Sequence, residues 1–326
     1  MKKTLWILLD DRKGSVGQAR GIAEALEDRI NIIEKELIYT KQSWIPNWIK
    51  GRSLIGIDEQ RSSSLQPPYP DIILSTSRRT VSTARYLRKK SKNQIKIIQL
   101  MYPSGGVGIK DMEMIIVPSH DNPKKQLNPK SLVITGAPTR IFPNVVKENK
   151  LKWDVVFKDL PKPWISVIVG GAIKGKPWPL ETVKDFADSL KQLHNTLGGS
   201  LLITTSRRTG KDAEKIILSN LEGVPMYTYL WGEQKKNPIM GFYACADIIV
   251  ATADSVSMCT EACGTGNPVL LFRDSVWLPK KHQRFASSLI EQGYAQDIKS
   301  PEAFKFRPKK TLNSSNLIAD KILEIC

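Results

Sequence analysis

DIIVATADSVSMCTEACGTGNPVLLF, residues Asp247 to Phe272, decides how the fold is read. Ile248 to Ala251 is a short apolar run suited to a buried parallel strand. Thr252 to Ser257 is small and polar, and Asp254, Ser255 and Ser257 can each accept a hydrogen bond from a free amide of a starting helix. Met258 to Cys263 is expected to be that helix, ended by Gly264 and Gly266, with Val269 to Phe272 as the next buried strand. The loop of such a unit lies at the carboxyl ends of strands, where open α/β sheets bind ligands. The helix N-terminus offers free N–H groups and a positive dipole end, which suit a phosphate. Glu261, a turn inside the helix, can accept both hydroxyls of a ribose. The plain alternative is an ordinary βαβ element with Glu261 in solvent.

The same alternation extends in both directions. Strands are expected at Thr4–Leu9, Asn31–Leu37, Asp71–Ser75, Ile95–Met101, Met114–Val117 and Leu132–Thr135. Helices are expected from about Gln18 to Asp28 and at Thr80–Lys89. Lys158 to Trp164, KDLPKPW, reads as a linker, after which the pattern restarts with strand Ile165–Val169. Helix Glu181–Thr196, strand Leu201–Thr204 and helix Lys211–Asn220 then lead into the opening unit, and helices Ser287–Gln292 and Asn316–Ile325 follow it. ILSTSRRTVST at Ile73–Thr83 echoes LITTSRRTGKD at Leu202–Asp212. Both set TSRRT between an apolar strand and a helix. One such unit per half suggests two similar Rossmann-type parallel-sheet domains facing across a cleft.

The chain has 326 residues, 41% of them hydrophobic, enough for two real cores. Its four cysteines show no zinc spacing, and Cys259 and Cys263 read as buried small apolar residues. MKKTLWILLDD holds too short an apolar run for a signal peptide, and no run reaches transmembrane length, so a cytoplasmic protein is expected. The net charge of +17 favours polyanionic partners, without a nucleic-acid signature beside it. Lys89, Lys90, Lys92 and Lys96, with the Trp44 to Gly51 segment nearby in sequence, suggest an anionic membrane surface as partner.

Four loops at strand ends describe a nucleotide-diphosphate site in the second half. Gly170-Gly171 leaves room for a phosphate. Ser206, Arg207, Arg208 and Thr209 bring two guanidiniums suited to bidentate grip. YLWGE, with Trp231, offers aromatics for a base, and Asp254, Ser255, Ser257 and Glu261 complete the set. Guanidinium and helix-end charge would replace a metal, and no cofactor is expected. GxGxxG and GxxxxGK[ST] are both absent, against nicotinamide oxidoreductases and P-loop kinases. In the first half, KGSVGQ with Ser15 and Gln18, and the first TSRRT with Arg78 and Arg79, are candidate acceptor-side groups. His120 beside Asp121 can serve as a general base; a surface-loop histidine is the bland alternative. His282 is a second polar-loop histidine.

TSRRT, the DSVSM-x-x-EA-x-x-TG-x-PV pattern from Asp254 to Val269, VPSHD at Val117–Asp121, TGAP at Thr135–Pro138 and KHQRF at Lys281–Phe285 together resemble the ELM1 family. The resemblance runs over nearly the whole chain. It implies a GT-B fold, the two-Rossmann architecture of nucleotide-sugar glycosyltransferases. The domains expected are 1–157 for an acceptor, a 158–164 linker, and 165–326 for the nucleotide sugar, with the last helix packing back on the first. The second half is also similar to the UDP-GlcNAc transferases of peptidoglycan and lipid A synthesis, in which a helix glutamate holds the donor ribose. Glu261 stands at that place, and Ser15 stands where the peptidoglycan enzyme carries a histidine. The resemblance implies a metal-independent glycosyltransferase with a UDP-linked or related donor and a lipid or cell-envelope glycan acceptor at the inner membrane face. The alternative it carries is a non-catalytic adaptor on the same fold, because the plant member of the family recruits fission machinery.

Overall fold

In β1 (Thr4–Leu9), Leu5, Ile7 and Leu9 fall on one face of the strand and Trp6 and Leu8 on the other, and all five are buried. A strand covered on both faces needs an unbroken apolar run, as parallel sheets do. The computed structural model describes residues 2–121 and 128–326. Around β1 stand α1 (Lys13–Leu26), β2 (Asn31–Glu36), the short α2 (Asn47–Lys50), β3 (Ile72–Ser75), α3 (Val81–Lys90), β4 (Lys96–Leu100), β5 (Met114–Pro118) and β6 (Ser131–Ile134). The strands form one parallel sheet in the order β2-β1-β3-β4-β5-β6.

A second sheet is built from α4 (Pro143–Phe157), β7 (Trp164–Val169), α5 (Leu180–Leu197), β8 (Ser200–Thr205), α6 (Lys211–Asn220), β9 (Met226–Tyr229), α7 (Ile239–Cys245), β10 (Ile248–Thr252), α8 (Val256–Gly264), β11 (Val269–Phe272), α9 (Lys280–Glu291) and β12 (Gln296–Asp297). Its order is β12-β11-β10-β7-β8-β9, again parallel. Both units are Rossmann-type, but their strand orders differ. The TSRRT echo follows the third strand of one unit and the second of the other. It is a recurring turn at non-equivalent positions: in both copies the serine N–H donates to the threonine Oγ1, at 3.1 Å in Ser77–Thr80 and 3.0 Å in Ser206–Thr209.

The chain divides into Met1–Arg140 with Asn313–Cys326, and Ile141–Leu312. The break therefore precedes α4 instead of falling in Lys158–Trp164. α4 belongs to the second unit, where Phe157 packs edge-on against Trp164 and Tyr227. Gly241 of α7 admits Trp153 of α4, since a Cβ there would come within 2.2 Å of the indole. Periodicity does not announce α4 because Leu151, Val155 and Val156 are exposed on it, so its apolar residues form no single stripe. The last helix, α10 (Ser314–Ile325), lies in the first unit. Ile318, Ala319 and Ile322 join the core of α1, and Ser315 Oγ accepts from Thr139 N–H at 2.9 Å.

One expectation changes in the first unit. KGSVGQ is not a loop: α1 starts at Lys13, so Ser15 and Gln18 are helical and half-buried. Lys89 and Lys90 end α3, and the Trp44–Gly51 segment runs along that helix, Asn47 donating to the Arg78 carbonyl before its start and Gly51 accepting from Arg85 within it. Among the described residues no helix is long and apolar enough to cross a membrane.

Candidate functional site

Because the second sheet is parallel, the carboxyl ends of β7, β8, β9, β10 and β11 share one edge. β7 leaves it through Gly170-Gly171. A Cβ on Gly170 would lie 2.1 Å from Asp254 Oδ1, and one on Gly171, at φ +150°, would lie 2.1 Å from the Arg208 carbonyl oxygen. Glycine is required here by the neighbouring loops themselves, which press the β7 loop from both sides. Farther along, Trp178 stacks on Trp277 at 4.4 Å and ties this loop to the one after β11.

Asp254 is the hub. Its side chain is fully buried. Oδ1 accepts from Thr252 Oγ1 at 2.7 Å, and Oδ2 accepts from Gly171 N–H at 3.0 Å and pairs with Arg208 Nη1 at 2.6 Å. Burial pushes the Asp254 carboxyl above its ordinary value, and the Arg208 charge opposes that. Arg208 Nη1 also donates to the Ala172 carbonyl at 2.9 Å. Asp254 therefore does not cap α8, and Arg208 is first its counter-ion; Nε and Nη2 remain for a ligand. Ser206 Oγ donates to the Gly170 carbonyl at 3.0 Å, and Thr209 Oγ1 donates to the same oxygen. Ser206 and Thr209 thus hold loop to loop, while Arg207 is exposed.

Ser255 is the N-cap of α8, accepting from Met258 N–H, and Ser257 sits half-buried in the first turn. One face of α8 carries Glu261. Burial pushes its carboxyl up to about 7, partly offset by a hydrogen bond from the Tyr243 hydroxyl at 3.2 Å. That hydroxyl is also 3.3 Å from the Met258 carbonyl. One phenolic proton cannot serve both acceptors fully, so Glu261 is left short of donors. Cys259 and Cys263 are buried beside it, as expected of small apolar residues. Next to α8, a cavity of about 300 Å³ opens at the ends of β7, β8 and β9, lined among others by Val169, Thr205, Tyr229, Trp231, Ile239 and Met258. Trp231 is exposed at its rim, with its N–H donating to Thr205 Oγ1 at 2.8 Å.

His282 joins this group. It lies in the first turn of α9, so it is helical and not in a loop. Burial lowers its pKa, Asp254 acts to raise it, and Lys281, Arg208 and Lys174 act to lower it. Its Nδ1 is buried and has no hydrogen-bond partner among the described residues. The signal in the sequence was KHQRF at Lys281–Phe285, in the segment that follows β11.

The other candidates belong to the first unit. His120 is buried in a short turn, Ser119–Asp121, after β5, and Asp121 is half-buried beside it. A surface-loop histidine is thereby ruled out. Arg79 Nη1 pairs with Asp11 at 2.8 Å and its guanidinium lies over Tyr39 at 5.1 Å, while Arg78 is exposed.

Known proteins match both the sequence and the fold. An uncharacterized protein, RP120, of Rickettsia prowazekii is 28% identical over 98% of this chain and 97% of its own. The mitochondrial fission protein ELM1 of Arabidopsis thaliana is 30% identical over 70% of this chain and 57% of its own. The UDP-GlcNAc 2-epimerase of Methanocaldococcus jannaschii superposes with a TM-score of 0.59 at 13% identity, covering 99% of both chains, so the two share the GT-B type of fold. The mitochondrial fission ELM1 family model matches residues 13–325, and the chain belongs to that family.

Proposed function

We propose that the second unit binds a nucleotide-diphosphate sugar and that the protein is a metal-independent glycosyltransferase. The observation that carries this reading is the Asp254–Arg208–Gly171 cradle at the carboxyl edge of the sheet, where Ser206 of the Arg208 loop and Met258 of the Glu261 helix also line the 300 Å³ cavity. In this reading the base packs near Trp231, the ribose hydroxyls donate to Glu261, and the diphosphate meets the amides around Ser255 and Ser257 and the free edge of Arg208, with Arg207 reaching in from solvent. An acceptor hydroxyl attacks the anomeric carbon. The new C–O bond forms as the bond to the diphosphate breaks, the proton passes to His120 or Asp121, and the negative charge on the leaving group is held by guanidinium and helix end. The acceptor is a lipid or cell-envelope glycan precursor at the inner membrane face. The solved relative named for a UDP-sugar supports the ligand class.

A second reading, an adaptor on the same fold, is favoured by one observation: a nucleotide is not needed to organise the cradle, because Asp254 already neutralises Arg208. Calorimetric titration with UDP, GDP and ADP separates the two. Binding of at least one at millimolar concentration or better is expected; binding of none makes the adaptor the better reading. Once a donor and acceptor are known, His120→Ala is expected to keep nucleotide affinity while turnover falls roughly 10²-fold. Unchanged turnover would remove His120 from the reaction.

Glu261 gives this reading a pH signature. A carboxylate accepts from ribose better than a carboxylic acid, so affinity should follow ionisation. With the group titrating near 7, UDP affinity is expected to rise about ten-fold between pH 6 and pH 8. Glu261→Gln should lack that component, leaving the ionisation of the nucleotide itself. The sign for folding is opposite. The folded state holds this proton more tightly, so the group's contribution to stability falls as pH rises from its ordinary 4.5 to about 7. A UDP affinity with the same pH profile in both proteins would remove Glu261 from the site.

A further inference from the structure

Leu37 to Ile57, between β2 and β3, holds no acidic residue and carries Lys41, Lys50 and Arg52. The segment is fixed in place. Thr40 N–H donates to the Gly56 carbonyl at 3.1 Å, and Gly56, at φ +90°, lets the chain pass where a Cβ would come within 2.8 Å of Ser43 Cα. Asn47 Nδ2 donates to the Arg78 carbonyl at 2.8 Å, and Arg85 Nη1 donates to the Gly51 carbonyl at 3.0 Å. On this rigid frame Trp44 is 76% exposed, Trp48 72% and Ile49 54%. Large apolar side chains held out in water by an ordered backbone mark an interaction surface.

The charge around them says what kind. Lys50 is only 4% exposed, yet among the described residues its Nζ meets nothing better than the Ser43 carbonyl at 3.4 Å. Burial holds its pKa down, and the charged groups acting on it, Arg78 and Arg79, are both cations that lower it further. Arg79 is taken by Asp11 and Arg52 by Asp111. Lys41, Lys50 and Arg78 have no carboxylate partner among the described residues. A buried cation facing other cations is unfavourable until an anion arrives.

We propose that Trp44, Trp48 and Ile49 form a ledge that docks on an anionic phospholipid bilayer, with the lipid phosphates meeting the exposed Lys41 and Arg78 and the buried charge of Lys50 behind them adding attraction. Indole rings favour the boundary between headgroups and acyl chains, and nearby cations add attraction to anionic lipid. A second copy of the chain fits less well, because a two-fold contact through this ledge would set these cations against themselves. The proposal stands independently of the nucleotide site.

The test is co-sedimentation of the full chain with phosphatidylcholine vesicles, with and without phosphatidylglycerol, and with vesicles whose acyl chains are brominated. Wild type is expected to bind the anionic vesicles, more weakly as salt rises, and to lose indole emission on the brominated ones. Trp44→Ala/Trp48→Ala should bind at least about ten-fold more weakly with unchanged thermal unfolding, since both side chains lie outside the core. Trp44→Phe/Trp48→Phe should still bind but lose the quenching. Lys89→Glu/Lys90→Glu, at the far end of α3, should bind like wild type. The proposal is overturned if wild type ignores anionic vesicles, if the double alanine variant binds as well as wild type, or if that variant instead loses self-association in sedimentation velocity.

Discussion

Asp254→Ala is expected to lower the stability of the second unit by about 3–5 kcal/mol, read from the urea midpoint. The substitution strands Gly171 N–H, the Thr252 hydroxyl and the Arg208 guanidinium together, each of which has this carboxylate as acceptor. Asp254→Asn should rescue little, because an amide that accepts on one side presents N–H groups to donors on the other. Arg208→Ala is expected to cost less, about 2–3 kcal/mol, since the guanidinium is about one-third exposed and the carboxyl left behind can take up a proton. The double variant Arg208→Ala/Asp254→Ala should fall short of the sum by at least about 1 kcal/mol. Strict additivity would show that the pair is not a unit, and a near-zero effect of Asp254→Ala would remove the hub from this account. The same cycle separates structure from binding at Arg208. Arg207, exposed and outside the network, should change nucleotide affinity without changing stability.

Glu261→Ala is expected to weaken nucleotide binding about ten- to a hundred-fold, the range for losing charge-assisted hydrogen bonds to two hydroxyls. Stability should fall little or rise, because the wild-type carboxyl is already pushed up to about 7 by burial and, among the described residues, only the Tyr243 side chain donates to it. Such a divergence, lower affinity with no loss of stability, is the mark of a group kept for a ligand. Glu261→Gln should do less harm, since one acceptor oxygen remains. Arg208→Lys should still lose affinity: an ammonium cannot bond Asp254 and a phosphate through opposite edges as a guanidinium can. Calorimetry on the wild type and the three variants reads all of this. A Glu261→Ala protein that binds nucleotide like wild type would send Glu261 back to a packing role.

Local pattern was enough for most elements. β1, α6 and β11 were legible to the residue, because each is short, uniformly patterned and bounded by turn residues. The strand–helix alternation determined two parallel sheets, since only a crossover connection can join parallel neighbours. KDLPKPW misled for the opposite reason: prolines and charge mark a turn, but only packing says which bodies lie on either side of it. Trp153 and Phe157 bind α4 to the second unit, and Ser315 and Ile318 bind α10 to the first; these contacts span sequence separations that no periodicity records.

The candidate site divides in the same way. By itself the sequence determined which loops reach the carboxyl edge of the second sheet, because strand order and direction follow from alternation. It also marked Gly170, Gly171, Arg208, Asp254 and Glu261 by type and place. Only the tertiary structure decided what each one does. Gly170 and Gly171 are small because Asp254 and the Arg208 carbonyl crowd them. Asp254 turns from the helix amides to Gly171 and Arg208 because its side chain is buried between their loops. Burial between α7 and α8 pushes the Glu261 carboxyl up to about 7, and Lys50 stays uncompensated because the chain brings it Arg78 and, among the described residues, no carboxylate partner. Ionisation, like crowding, is set by what lies within a few ångströms in space, and the neighbours that matter here come from distant parts of the chain.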